Sequence, residues 1–181
     1  KRLNEARNVI ADFQLSIFAT KPELRLRRGD FQPIDEDSVR AMLPDTKTIL
    51  VEFVVTNEKS FVYMISKPHD RTEIRVFPID ISRDELEKRI KSFRALIQSA
   101  DLGYRDEAKK LYALLLSKAS AELTGKNAVV IVPDSILWDV PFQALVTPND
   151  KFLIETHAVS YAPSLTALKE LRAKLDWPST N

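Results

Sequence analysis

The sequence predicts an α/β fold: a mixed sheet with an antiparallel meander and a buried parallel-type strand, covered by helices. Three observations carry this. From Thr48 the apolar pattern has period two, with Ile49, Val51, Phe53 and Val55 on one side and Leu50, Glu52 and Val54 on the other, and two short turns lead to two further extended segments. Asn127 to Val132 reads N-A-V-V-I-V, an unbroken apolar run of the kind buried on both faces in the middle of a parallel sheet. Between these stretches, apolar residues recur at spacings of three and four, the period of helices with one buried face.

The elements follow in order. Ala6, Val9, Phe13 and Ile17 predict an amphipathic helix over residues 2–19, ended by Lys21-Pro22. Pro22 to Pro33 has no sustained period and reads as a polar connection. Asp35 is an N-cap for a short helix from Glu36 to Leu43, stopped by Pro44. The Thr48 strand turns at Asn57-Glu58-Lys59 into a strand from Phe61 to Ser66, which turns at Pro68-His69-Asp70 into one from Glu73 to Ile79; such short connections require antiparallel neighbours. Ser82 and Glu85 form a capping-box pattern for a helix whose stripe is Leu86, Ile90, Phe93 and Ile97 and which ends before Gly103. A second long helix, Arg105 to Leu123, buries Ala108, Leu111, Leu115 and Ala119, with Gly125 as a left-handed C-cap. After the 127–132 strand, Pro133-Asp134-Ser135 is a turn. Residues 136–146, irregular around Pro141, are expected to form a short strand and then a helical turn. Phe152 to Glu155 and Ala158 to Ala162 are expected to be extended, and a helix capped by Ser164 runs to about Leu175, broken by Trp177-Pro178. The organisation expected is residues 1–45 as an N-terminal helix and connection, and residues 46–181 as the sheet-bearing domain.

Composition bounds the function. With 181 residues, 44% hydrophobic and 29% charged, the chain can bury a sizeable core, which excludes disorder throughout. Lys+Arg 27 against Asp+Glu 26 leaves a formal charge of +1, without the excess that draws a protein to nucleic acid or an anionic membrane. No apolar run approaches the roughly 18 residues of a spanning helix, and the charged start is unlike a signal peptide. A cytoplasmic protein is therefore expected, with neither nucleic acid nor membrane as partner. A chain opening on Lys1 in helical register is expected to be cut from a longer one. The absence of cysteine removes disulfides, thiolate metal ligands and a Cys nucleophile together, and 2 histidines leave little for a metal site, so no cofactor or metal is expected.

Few residues are candidates for chemistry. The 3 glycines, Gly29, Gly103 and Gly125, are too far apart for a phosphate loop or a dinucleotide fingerprint. No G-x-S-x-G elbow is present, and any serine triad would need His69 or His157 as its base; a solvated turn histidine and a structural histidine beside a strand are the ordinary readings of these two. Arg28-Gly29-Asp30 is a tripeptide common by chance. Lys21, Arg25, Arg27 and Arg28 form the most basic stretch, but Glu23 and Asp30 dilute it and no aromatic residues interleave it, so it reads as a solvated loop. Asp134 and Asp139 flank Trp138 just after the parallel-type strand, where α/β proteins often place their sites, and suggest a carboxylate pair; an Asx-type turn at residues 133–135 accounts for Asp134 without chemistry.

The run from Val129 to Leu145, V-V-I-V-P-D-S-I-L-W-D-V-P-F-Q-A-L, followed by F-L-I-E-T-H-A-V-S-Y-A-P-S from Phe152 to Ser164, resembles the front half of the CHAT domain, the caspase-like domain associated with tetratricopeptide repeats. The Lys21-Pro22-Glu23-Leu24-Arg25 helix end, Leu43-Pro44, the I-L-V-E-F-V-V strand and the L-Y-A-L-L-L helix resemble it in the same order. The resemblance implies a partial caspase and separase-type fold from a bacterial-type protein. It also implies a cysteine peptidase dyad whose His-Gly and Ser-Ala-Cys motifs follow the Y-A-P-S block. His157 belongs to that block and not to the dyad, and with no cysteine in the chain no catalytic residue can be carried over. The expectation is thus the N-terminal, non-catalytic half of a CHAT domain. Its partners would be the downstream catalytic half, an upstream repeat array, a protein substrate and, through uncovered apolar surface, a second copy in a homodimer. The alternative is a degenerate, non-peptidase interaction module that uses an unpaired sheet edge.

Overall fold

The computed structural model describes residues 34–174. The expected 2–19 helix, the polar connection and the Trp177-Pro178 break lie outside the described residues, as do Lys21 to Asp30. Helix α1, Glu36–Met42, starts where Asp35 accepts the Ser38 amide at 2.7 Å. It is followed by β1 (Thr48–Val55), β2 (Ser60–Ser66) and β3 (Glu73–Ile79), then α2 (Arg83–Gln98), α3 (Tyr104–Leu116) and the single turn α4 (Ser120–Leu123). The chain continues through β4 (Ala128–Val132), the one-turn α5 (Leu153–Thr156), β5 (Ala158–Tyr161) and α6 (Leu165–Lys174).

The five strands form one sheet in the order β3-β2-β1-β4-β5. β1 pairs antiparallel with β2, and β2 with β3, as the short turns require, while β4 is parallel to both β1 and β5. The α/β mixed sheet read from the sequence is thus the observed fold. Registers sort the side chains onto two faces. Ile49, Val51 and Phe53 share the first face with Val62, Met64, Val129 and Ile131, and these pack with Leu86, Ile90 and Phe93 of α2 and Leu111 and Leu115 of α3 in the main core. Leu50, Ile65 and Val130 share the second face and are buried outside that cluster, as are Val39, Met42 and Leu165 of α1 and α6. These two helices lie against each other: Lys169 Nζ reaches Ser38 Oγ at 2.8 Å, and the Arg172 guanidinium donates to the Met42 carbonyl.

Three expectations need correction. Residues 136–146 hold no strand: they form two 3-10 turns, Ser135–Asp139 and Phe142–Ala144, and Val146 makes an isolated bridge to Phe152. Pro141 has no amide to give a ladder, and the buried Leu137 and Phe142 are better served by turns that point both inward. Phe152 to Glu155 is not extended beyond its first residue. It opens α5, whose start is fixed by Glu155 Oε2 accepting the Phe152 amide at 2.5 Å. The long helix predicted to Leu123 breaks after Leu116 into a 3-10 turn and α4, at a point where Ser117 turns its hydroxyl onto the Ala113 carbonyl.

Candidate functional site

The carboxyl ends of the parallel strands β1, β4 and β5 meet the loop 133–146, and this loop builds a cleft of about 400 Å³ with the end of α2. Phe142 anchors it. Its ring is fully buried, 5.2 Å from Phe53 and 6.3 Å edge-on from Tyr161. The Tyr161 hydroxyl accepts the Phe142 amide at 2.9 Å and donates to Gln143 Oε1 at 2.6 Å, so the last residue of β5 holds the second turn of the loop. Burial pushes the Tyr161 phenol up, against the smaller opposing pull of the Phe142 and Gln143 backbone amides. On the other wall, Arg94 of α2 pairs with Asp139 at 2.7 Å. Between them Trp138 is 49% exposed beside Ile97, Val140 and Pro141, an aromatic plane with polar groups on both flanks.

Asp134 and Asp139 are both at this end, but each is committed to its own partner. Asp134 Oδ2 accepts the Val55 amide at 2.8 Å, from the strand on the other side of β4. The expected Asx-type turn at residues 133–135 is therefore not what Asp134 makes; its carboxylate crosses to β1 while its carbonyl accepts from Leu137. Arg83 holds the next residue, donating to Ser135 Oγ at 2.8 Å. Among the described residues no hydrogen bond joins the two aspartates. Glu52, which sequence reasoning read only as part of a strand, stands near Asp134. Desolvation first, and then the like charge of Asp134, raise its carboxyl above the usual glutamate range.

The two histidines are far from this cleft along the chain's topology. His69 is exposed in the turn between β2 and β3 with φ of 50°, a left-handed conformation that histidine adopts more readily than most residues. His157 precedes β5, at the amino ends of the parallel strands. Its Nε2 lies 3.2 Å from the Leu123 carbonyl and its Nδ1 2.8 Å from Thr156 Oγ1, so the ring ties α4 to α5 as a structural histidine. Among the described residues no group of three or more metal-ligating side chains is brought together, and no helix is long and apolar enough to cross a membrane.

The loop and strands that build the cleft fall within a stretch similar to a known domain family. Residues 105–178 match the CHAT domain. The CHAT match begins in α3 and includes β4, the Trp138 loop and β5, which are the blocks that carried the resemblance; α1 to α2 lie before it. No curated protein matches the chain.

Proposed function

We propose that the chain is the N-terminal, non-catalytic portion of a CHAT-type cysteine peptidase domain, a frame that a downstream catalytic half completes. One observation carries this: the two edges of the sheet are not alike. β3 is blunted as an edge, with Pro78 unable to donate and Glu73 and Arg75 charged, whereas β5, A-V-S-Y, has neither proline nor charge and among the described residues pairs with nothing on its outer side. A parallel strand with such an edge accepts another strand beside it. In this reading the Cys and His arrive on that strand and its neighbours, and the Trp138 cleft, at the same end of the sheet, becomes one wall of the substrate groove. An upstream repeat array and a cytoplasmic setting belong to the same proposal.

The test is to express the parent reading frame beyond Asn181 and compare it with the 181-residue chain on a peptide library. Cleavage by the extended protein alone, abolished by a thiol reagent and by replacing a downstream Cys, is the expected result. An extension without His and Cys, or one inert on every peptide, would move the reading to a non-peptidase interaction module. The open β5 edge favours that second reading as well, since it could pair antiparallel with its own copy in a homodimer.

A further inference from the structure

Among the described residues the second sheet face is buried at Leu50, Ile65 and Val130 and more exposed further along. There the cross-strand rows Glu52–Tyr63–Val76 and Val54–Phe61–Pro78 run across β1, β2 and β3. Val54 is 37% exposed, Val76 47% and Ile74, next to them on β3, 53%, while Phe61 and Tyr63 are half-buried. Neighbouring strands are about 4.8 Å apart, so three of them make a strip about 10 Å wide. That is the width of one α-helix with its side chains, about 10–12 Å.

Glu52 stands midway along this strip, at its β1 border. Its carboxylate is half-buried on the central strand, has no hydrogen bond or ion pair among the described residues, and the charged group acting on it is Asp134, of the same sign. A carboxylate already partly stripped of water and lacking a cation gains more from one brought by a partner than an exposed carboxylate does. We infer that this open strip seats an amphipathic helix of a partner protein, which presents a Lys or Arg from the middle of its apolar stripe to Glu52. A second copy of the same face is disfavoured as the occupant, because a two-fold contact would set one Glu52 against the other. The inference is independent of the peptidase reading, which rests on the β5 edge and the opposite side of the loop.

The test uses the full 181-residue chain and a phage-displayed library of amphipathic helical peptides, with a fixed apolar stripe and one randomised position at its centre. Enrichment of Lys or Arg at that position is expected. The best peptide, made synthetically, should lose about tenfold in affinity for Glu52→Gln, which keeps shape and removes charge, and should also be weakened by Val76→Glu on the same face. Ile97→Glu, in the cleft on the other face, should leave its binding unchanged, and a peptide with Glu at the centre should bind Glu52→Lys better than it binds the parent chain. Circular dichroism on each variant checks that it is folded. No enrichment, enrichment without preference for a cation, or equal affinity for a folded Glu52→Gln would overturn the inference.

Discussion

Glu52 and Ser60 show how single polar atoms in this sheet act against its stability. The folded chain holds the Glu52 proton more firmly than the unfolded chain does, so the folded pKa lies above the unfolded one. Stability therefore falls as pH rises from the unfolded glutamate value through the folded one, the reverse of a salt-bridged carboxylate. Glu52→Gln should match or exceed the parent chain in denaturant midpoint at neutral pH, and that advantage should vanish below the unfolded glutamate pKa. Urea titrations at the two pH values check this. Ser60 Oγ is buried with no partner between Val55 and Ile79, so Ser60→Ala removes a desolvated hydroxyl and should be neutral or stabilising by up to about 1 kcal/mol in the same assay. Phe142→Ala should cost about 3–5 kcal/mol, because it empties the ring site shared with Phe53 and Tyr161. These roles differ in how far the sequence shows them. Asp134 and Asp139 were legible as residues at a strand end, but their partners Val55 and Arg94 are distant in sequence and no local pattern names them. Glu52 was read only as part of its strand; the signal that could have singled it out is a lone carboxylate in an apolar run, and it has no hydrogen bond or ion pair among the described residues.

Secondary structure was most legible where period and burial coincide. β1 and β4 each have one reading because their alternation or unbroken apolar run agrees with β propensity, and α2 because Ser82 does accept the Glu85 amide at the start of its stripe. It was least legible over residues 133–157, where turns are set by tertiary partners. Asp150, with φ of 62°, is held by Lys109 at 2.8 Å and Arg105 at 3.3 Å from α3, and Arg105 also lies over the Phe152 ring at 4.9 Å. These long-range contacts fix a hairpin-like loop that periodicity cannot see. Both basic side chains hold the Asp150 carboxyl below the usual aspartate range, hydrogen bonding from Lys109 being the largest cause. The stability this gives is present above the unfolded aspartate pKa and lost as pH falls through the folded one. Because these groups are well exposed, Asp150→Asn should lower the melting temperature only slightly at neutral pH and not at all in acid. Hydrogen exchange reads the strands directly: β1 and β4 amides should be the slowest in the chain, and β5, paired on one side only among the described residues, should exchange well before them.

At the scale of the molecule, the sheet has, among the described residues, one guarded edge and one unguarded edge, and the chain's behaviour in solution should follow from that. Sedimentation should show association that grows with concentration, and Val159→Pro, which spoils the β5 edge as a template, should reduce it while the β1 and β4 amides keep their protection. A monomer at every concentration would count against the open edge as a contact surface. The bond from Val55 to Asp134 has an effect on form as well as on pairing. Parallel pairing of β1 with β4 stops at Glu52 and Val132, yet β1 runs three residues further. Past that point the Asp134 carboxylate stands in for the carbonyl that a longer β4 would have offered. The central strand can thus overhang its neighbour without exposing an unmet amide, and the upper rim of the sheet descends in a step from β1 to β4. A flat rim would leave incoming loops only a surface to rest on; a stepped one gives them a ledge with a wall behind it.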